Sequence, residues 1–212
     1  MEILPKAQQK LWPQLKPSID LGLVLYGGTA IALRLGHRSS VDFDFFTDRP
    51  LNKERLKSAF PFIERSTVLQ EQPNTLTVLV GHIKISYFGE ITFGRVGLPE
   101  NTQDGVLQVA SMDDLMATKL KVILQRSEAK DYRDIVALLK AKISLSKGLA
   151  SARAMYGKNF QPSEGLKALV YFGDGDLNAL SQAEKNLLIG AASRVRSLPR
   201  VKIQSHGLLG GS

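Results

Sequence analysis

The stretch of residues 25–46, LYGGTAIALRLGHRSSVDFDFF, most constrains the fold, because two kinds of periodicity follow one another in it. A short apolar run ends at Gly27-Gly28, and residues 29–35 then carry apolar side chains at helical spacing. Residues 41–46 alternate between acidic and apolar side chains, which is typical of a strand with one buried face. The stretch therefore predicts a strand, a turn, a helix and a second strand in that order.

The acidic residues of the second strand, Asp42 and Asp44, are separated by one residue, so their carboxylates point to the same side. Such a pair can hold one divalent cation. The glycine pair ahead of the helix leaves backbone N–H groups accessible to a phosphate. Alone, a glycine pair usually makes only a tight turn, and aspartates usually lie at caps or turns. Together they favour a site for a metal-bound nucleoside triphosphate (NTP).

The composition excludes several classes of protein. The absence of cysteine rules out disulfides, thiolate metal sites and cysteine nucleophiles. No apolar run approaches the roughly 18 residues that span a bilayer, and the N-terminus lacks the charged-then-apolar pattern of a signal peptide. We therefore expect a cytoplasmic protein that does not associate with membranes.

The chain is expected to form two domains. Residues 1–105 mix strand and helix patterns, whereas residues 106–212 are helical and end in a Gly-rich tail from Ser205 that we expect to be frayed. The predicted fold class is α/β, of the α+β kind, with a mixed sheet, flanking helices and a C-terminal helical domain. The predicted elements after residue 46 are a helix at 51–59, strands at 75–80 and 83–88, and helices at 111–126, 131–142, 149–156, 164–172 and 183–195. A further helix is expected at 3–15, broken by Pro13 and ended before Pro17.

The formal net charge of +8 is unevenly distributed. Residues 141–212 contain ten Lys or Arg and four Asp or Glu, and so account for +6 of it. A basic helical part of this kind can bind a polyanion such as nucleic acid. It can equally be an ordinary solvated helical surface, and the sequence leaves both interpretations open.

Three basic side chains are further candidates for contacts with phosphate. Lys119 lies on or beside the apolar stripe of the helix at 111–126, where its ammonium either snorkels to solvent or enters a site. His37 and Arg38 follow the glycine pair, where they either project toward a phosphate or are solvated.

The run RSEAKDYRD carries a second charged cluster. Asp131 and Asp134 share a helix face, while Arg126 and Lys130 are one turn apart. One interpretation is a salt-bridged helix junction with Asp131 near a helix N-terminus. The other is a cationic lining for phosphates that is oriented by the aspartates.

In this order, the motifs GGTAxAL, HR, SxDFDFF, KL and RxxxKDYxD resemble those of AbiEii/AbiGii-type nucleotidyltransferases. These are the toxin halves of bacterial abortive-infection and type IV toxin–antitoxin pairs, within the DNA polymerase β-like superfamily. The resemblance covers about residues 25–139 and implies a nucleotidyltransferase-type mixed sheet.

The resemblance implies a role for each matched residue. The glycine pair and Thr29 match the triphosphate loop, and the acidic pair matches the carboxylates that bind Mg²⁺ or Mn²⁺. The later motifs match residues that complete the site. The expected catalytic residues are Asp42, Asp44, Lys119, Asp131 and Asp134, and the expected nucleotide-binding residues are Gly27, Gly28, Thr29, His37, Arg38, Arg126 and Lys130.

One position departs from the superfamily pattern. A third carboxylate often lies on a later strand and serves as the base for the acceptor hydroxyl. On the predicted strand at 83–88, this chain has Ser86 in that place. Either Asp131 or Asp134 replaces the missing acid, or Glu90 moves into its place, or the chain binds nucleotide without efficient transfer.

The leading hypothesis is a Mg-dependent nucleotidyltransferase that moves a nucleotide from an NTP to an acceptor and acts as a toxin with a cognate antitoxin protein or gene. The basic helical part suggests RNA, notably tRNA, as the acceptor. Two alternatives remain open: an NTP-binding module without efficient transferase activity, and a basic nucleic-acid-binding protein whose aspartates are structural.

Overall fold

The computed structural model describes residues 4–210, and the chain divides into two compact units. The first comprises Met1–Ser111 together with Ser205–Ser212, and the second comprises Met112–Gln204. The division falls a few residues after the predicted boundary at residue 105, because the segment that follows residue 105 still contributes a strand to the first unit. The predicted fold class, a mixed sheet with flanking helices followed by a helical part, is confirmed.

The first unit is built on a seven-stranded mixed sheet. Its strands are β1 (Val24–Tyr26), β2 (Phe43–Phe46), β3 (Thr67–Gln72), β4 (Thr75–Val80), β5 (Ile83–Phe88), β6 (Glu100–Asn101) and β7 (Gln108–Val109). Their order across the sheet is β3-β4-β5-β2-β1-β7-β6. Its helices are α1 (Lys6–Leu11), α2 (Gly27–Leu35) and α3 (Lys53–Ala59), with 3₁₀ segments at Trp12–Ser18 and Ile63–Arg65.

Strand β2 lies in the middle of this sheet, antiparallel to β1 and parallel to β5. Its side chains alternate as predicted: Phe43 and Phe45 are fully buried, whereas Asp42, just before the strand, and Asp44 are partly exposed. Phe45 stacks on Tyr87 of β5 with ring centroids 5.6 Å apart. A slip of one residue would move the buried aromatic side chains to the opposite face of the sheet. Their burial therefore fixes the register in which both carboxylates lie on the other face.

Local signals in the sequence account for the ends of two helices. Helix α2 stops at Gly36, whose φ of 61° is left-handed and whose N–H donates to the carbonyl of Ala32, an arrangement typical of a helix C-terminus. Helix α3 begins after Asn52, whose side chain accepts a hydrogen bond from the backbone N–H of Arg55.

The second unit is helical, as predicted. It contains α4 (Met112–Val122), α5 (Ala129–Lys140), α6 (Leu145–Tyr156), α7 (Pro162–Val170) and α8 (Gln182–Ser193), with 3₁₀ turns at Gly157–Asn159 and Leu177–Ala179. A capping box between Ser181 and Glu184 starts α8. Within residues 4–210, none of the helices combines the length and the apolar character required to cross a membrane.

The helix expected at 3–15 with a break at Pro13 is α1, which ends at Leu11 and is followed by a 3₁₀ segment, because Pro13 and Pro17 cannot donate backbone hydrogen bonds. Residue 3 of that prediction lies outside the described residues. One prediction near the C-terminus was wrong. The tail expected to be frayed packs on the first unit instead. Leu208 is fully buried, and the N–H of Arg95 donates to the carbonyl of Ser205 at 2.8 Å.

Gly148 in α6 offers a test of the packing in the second unit. A Cβ built there would lie 2.3 Å from Cγ of the buried Met116 in α4. We expect Gly148→Ala to lower the free energy of unfolding by about 1–3 kcal/mol, because overpacking outweighs the gain in helix propensity. The measurement is urea denaturation of the full chain.

Gly190 in α8 provides the matched control. A Cβ there would meet only the far end of Arg194, at 3.3 Å. Gly190→Ala should therefore stabilise the protein by up to about 1 kcal/mol through helix propensity. If the two substitutions had the same effect, the close packing of α6 on α4 would be contradicted.

Candidate active site

The acidic pair lies on the exposed face of the central strand. Asp44 is in register with Tyr26 of β1 and with Ser86 of β5. Ser86 is 3% exposed and occupies the neighbouring strand position on the same face as Asp44. The sheet therefore places a serine beside the acidic pair, as expected, and not a third carboxylate. Glu90, which follows β5, accepts a hydrogen bond from the amide of Asn74.

Lys84 lies beside this acidic pair, although it is not among the expected site residues. Its Nζ lies 3.3 Å from Oδ2 of Asp42, and the two side chains are 43% and 36% exposed. The alternation of β5 puts Lys84 on the same face as Ser86, so the signal was present in the sequence. A half-exposed ion pair of this kind contributes less than about 1 kcal/mol, so Asp42 is free to exchange Lys84 for another cation.

Gly27 is required at its position by both conformation and space. Its φ is 75°, a region that L side chains rarely adopt. A Cβ built on it would lie 2.6 Å from Oδ2 of Asp44. The bare backbone that begins α2 thus passes directly beside a carboxylate of the acidic pair. The N-cap residue Tyr26 makes no side-chain capping hydrogen bond and the first turn of α2 contains no acid; backbone N–H groups at a helix N-terminus suit an anion.

The remaining candidates of the first unit lie in or next to the connection from α2 to β2. Thr29 is buried, and its hydroxyl donates to the carbonyl of Asp42 and lies 2.9 Å from Oγ of Ser40. This hydroxyl therefore anchors the segment that precedes β2. His37 and Arg38 are half-buried, and Arg38 donates to the carbonyl of Ser39. Contacts of Thr29, His37 and Arg38 with nucleotide stay predictions.

Lys119 does not snorkel to solvent. Its Nζ lies 2.6 Å from Oδ1 of Asp131 and 2.7 Å from Oδ2 of Asp134, and all three side chains are buried. Burying an ammonium is costly unless carboxylates pair with it, and here two of them do. Lys119 therefore joins α4 to α5 inside the second unit.

Arg126 completes this cluster. Its Nε donates to Oδ2 of Asp131 at 2.8 Å and its guanidinium also donates to Oδ1 at 3.2 Å, a bidentate arrangement. Burial alone would raise the pKa of Asp131, but the hydrogen bonds from Arg126 and the charge of Lys119 outweigh it and lower that pKa. A lowered pKa makes Asp131 a weak base. The geometry thus agrees with the salt-bridged helix junction.

The expected site residues fall into two groups. The first unit holds Gly27, Gly28, Thr29, His37, Arg38, Asp42 and Asp44, and the second unit holds Lys119, Arg126, Lys130, Asp131 and Asp134. Lys130 is half-exposed and pairs with Glu128 at 2.7 Å, beside the buried cluster. Direct participation of the second group in a reaction stays a prediction.

The acidic pair fits Mg²⁺ or Mn²⁺ that arrives with a nucleotide. Among residues 4–210, no group of three or more His, Cys, Asp or Glu side chains is placed to hold a metal by itself. Mg²⁺ is usually bound through one or two carboxylates, with phosphate oxygens and water as its other ligands. Two carboxylates next to a helix N-terminus provide this kind of partial site.

Residues 15–200 match the family model described as nucleotidyl transferase AbiEii toxin, type IV TA system. A curated protein of Aquifex aeolicus (strain VF5), described only as uncharacterized, is 32% identical over 180 residues, which cover 82% of this chain and 85% of that protein. The match extends over most of both chains.

Solved structures show the same fold. A crystal structure of an H. pylori protein proposed to be a nucleotidyltransferase is 20% identical, with a TM-score of 0.56 over 88% of this chain and 92% of that one. The crystal structure of ANT(2'')-Ia in complex with adenylyl-2''-tobramycin is 15% identical, with a TM-score of 0.53 over 73% of this chain and 99% of that one. At these identities, the likeness concerns the fold alone.

Gly27→Ala tests the close approach to Asp44. We expect it to lower the free energy of unfolding by about 2–3 kcal/mol, because the methyl group needs a left-handed backbone and also displaces the carboxylate. Gly81→Ala is the matched control: φ is 62° there, but nothing lies within 4 Å of the added Cβ. It should cost only about 1 kcal/mol. Equal losses in urea denaturation would contradict the contact.

Asp131→Asn tests the buried cluster. At pH 7 it should cost about 3–5 kcal/mol, because Lys119 and Arg126 lose a buried partner. The folded-state pKa of Asp131 is depressed, so its stabilisation is present above the unfolded-state value and is lost as pH falls through the folded-state pKa. The difference from the wild type should therefore persist at neutral pH and shrink below about pH 4.

The control for this cluster is Glu128→Gln, which removes a carboxylate that is 40% exposed. It should change the free energy of unfolding by less than about 1 kcal/mol. Chemical denaturation across a pH series measures both variants. A gap between Asp131→Asn and wild type that stayed constant down to pH 2 would be incompatible with a carboxylate of lowered pKa.

Proposed function

The chain belongs to the AbiEii family of nucleotidyl transferase toxins of type IV toxin–antitoxin systems, and we propose that it transfers a nucleotide from an NTP to a hydroxyl of an RNA acceptor, with Mg²⁺ or Mn²⁺. Nucleotidyl transfer and a toxin role follow from the family. The metal, the acceptor and a cognate antitoxin are the proposed parts. The observation that carries the proposal is the approach of Asp44 to the bare helix start at Gly27.

The triphosphate is proposed to bind at the N-terminus of α2. The backbone N–H groups of the first turn and the positive end of the helix dipole attract phosphate oxygens. Gly27 and Gly28 have no side chains that would block the approach. Asp42 and Asp44 alone would repel the same phosphates, so a triphosphate at this place requires a cation between them.

Asp42 and Asp44 would hold that cation, which when bound polarises the α-phosphate and stabilises the leaving pyrophosphate. In the transfer step, an acceptor hydroxyl oxygen forms a bond to the α-phosphorus, the bond to the bridging oxygen breaks, and the hydroxyl proton passes to a base. Lys84, on the same face, balances the charge of Asp42 before the cation arrives. It then adds a positive charge on the side that the phosphates approach.

Three residues considered for the base that accepts the proton of the acceptor hydroxyl, Ser86, Asp131 and Asp134, are poorly suited to it. Ser86 next to Asp44 is a hydroxyl and not a carboxylate, so it does not accept a proton at neutral pH. Asp131 and Asp134 are held by the Lys119 ammonium, and the pKa of Asp131 is lowered. We infer that these two aspartates position Lys119 and Arg126, and that the proton leaves through the acidic face or through water.

Labelling tests the proposal. Purified full chain is incubated with Mg²⁺, each α-³²P-labelled NTP in turn, and total RNA. We expect label in RNA from at least one NTP, and its loss to background in the double variant Asp42→Ala with Asp44→Ala. Addition of EDTA should abolish labelling as well.

The matched control removes two exposed carboxylates of the same unit, Asp20→Ala with Glu64→Ala, and should label RNA at the wild-type rate. Labelling by the Asp42/Asp44 variant at that same rate would refute the site. Label on protein instead of RNA would refute the RNA acceptor and retain the transfer.

A second function is favoured by Ser86, since the base found in many superfamily members is missing at this position. The chain would then bind NTP without efficient transfer. Calorimetric binding of an NTP with Mg²⁺, together with no incorporation into RNA or protein from any NTP, would select this function.

A further inference from the structure

The second unit contains an open groove whose lining includes none of the expected site residues. It has a volume of about 750 Å³ and lies between the end of α5, the start of α6 and the segment after α8. Four of its lining side chains are basic: Lys140, Lys142, Arg194 and Arg196. Within the described residues, its lining includes no Asp or Glu and no aromatic side chain. We call it the basic groove.

The charges of the basic groove are not neutralised within the unit. Across the described residues, none of the four cations lies within 4.0 Å of a carboxylate, although the charge of Lys140 makes a small contribution to the lowered pKa of Glu184. Other cations of this unit do have such partners, for example Lys147 with Asp113 at 2.6 Å and Lys167 with Glu164 at 3.0 Å. Concentrated like charge costs free energy that a bound polyanion recovers.

Lys142 is held in the basic groove by an unusual backbone. Its φ is 67°, in the left-handed region where glycine or asparagine is the common choice. Its N–H closes the turn after α5 by donating to the carbonyl of Leu139 at 3.0 Å. The turn itself would form more easily with glycine, so the lysine side chain contributes a charge to the groove at a conformational cost.

The lining chemistry is that of a phosphodiester site. Exposed cations combined with a serine hydroxyl, here that of Ser197, suit phosphate oxygens. Protein interfaces draw their affinity from buried aromatic anchors, which this lining lacks. We propose that the basic groove binds the phosphate backbone of the acceptor RNA, with its cations paired to successive phosphates. The choice of RNA among polyanions rests on the proposed function; the binding itself does not require transfer.

Fluorescence anisotropy of the full chain with a fluorescein-labelled RNA hairpin that has a single-stranded 3′ end tests the inference. EDTA is present and NTP is absent, so the result is independent of the transferase assay. Arg194→Gln with Arg196→Gln should weaken binding at least about tenfold and reduce the slope of log Kd against log salt by about 2.

The matched control is Arg200→Gln with Lys202→Gln. These exposed cations lie on the same C-terminal segment but do not line the groove, and the loss of charge is the same. Binding by the control should change less than about threefold, since only its general electrostatic term falls. If both double variants weakened RNA binding equally, the effect would be explained by the loss of net charge alone, and the inference would be overturned.

Lys142→Gly removes one groove cation while it relaxes the backbone. It should weaken RNA binding and lower the salt slope by about 1 without lowering Tm, so that a loss of binding cannot be assigned to unfolding. Unchanged RNA affinity in this variant and in the double variant would overturn the inference. So would a poly-glutamate peptide that binds the groove and is not displaced by the hairpin, because the groove would then suit an acidic protein.

Discussion

The carboxylate of Asp44 occupies the space in which any side chain on Gly27 would lie, and the proposed active site depends on this contact. It can form because β2 is held in one register by the buried Phe43 and Phe45 between its two neighbouring strands. The same register presents Asp42 and sets Ser86 beside Asp44. Packing on one face of the strand therefore positions the chemistry on the other face.

The elements that could be predicted from the sequence are those with a strong local cause. The alternation in β2 appears where it was predicted, and the helices expected at 29–35 and 51–59 are bounded by local signals, the left-handed Gly36 and the Asn52 cap. The strands predicted at 75–80 and 83–88 are β4 and β5, which pair antiparallel on either side of Gly81. By contrast, every residue of β3 is exposed, so that strand has no apolar face for a pattern to reveal.

The features that sequence reasoning missed depend on partners distant along the chain. Lys84 was visible as a member of the right strand face, but its ion pair with Asp42 requires the pairing of β2 with β5. For Lys119, the sequence left open whether its ammonium reaches solvent or enters a site. In the structure the ammonium is buried and pairs with two carboxylates, those of Asp131 and Asp134. The tail has a Gly-rich composition typical of disorder, yet Leu208 is buried. The second unit pairs the buried Lys119 with carboxylates. The four exposed cations of the basic groove have no carboxylate within 4.0 Å among the described residues.

The most direct test of the metal–nucleotide site is a crystal structure with Mn²⁺ and an NTP analogue that cannot be cleaved between the α- and β-phosphates. An anomalous difference map locates Mn²⁺ without assumptions about its ligands. We expect a peak bound by Asp42 and Asp44, with the triphosphate on the backbone N–H groups at Gly27 and Gly28. A nucleotide bound elsewhere, or at this place without Mn²⁺ on the acidic pair, would contradict it.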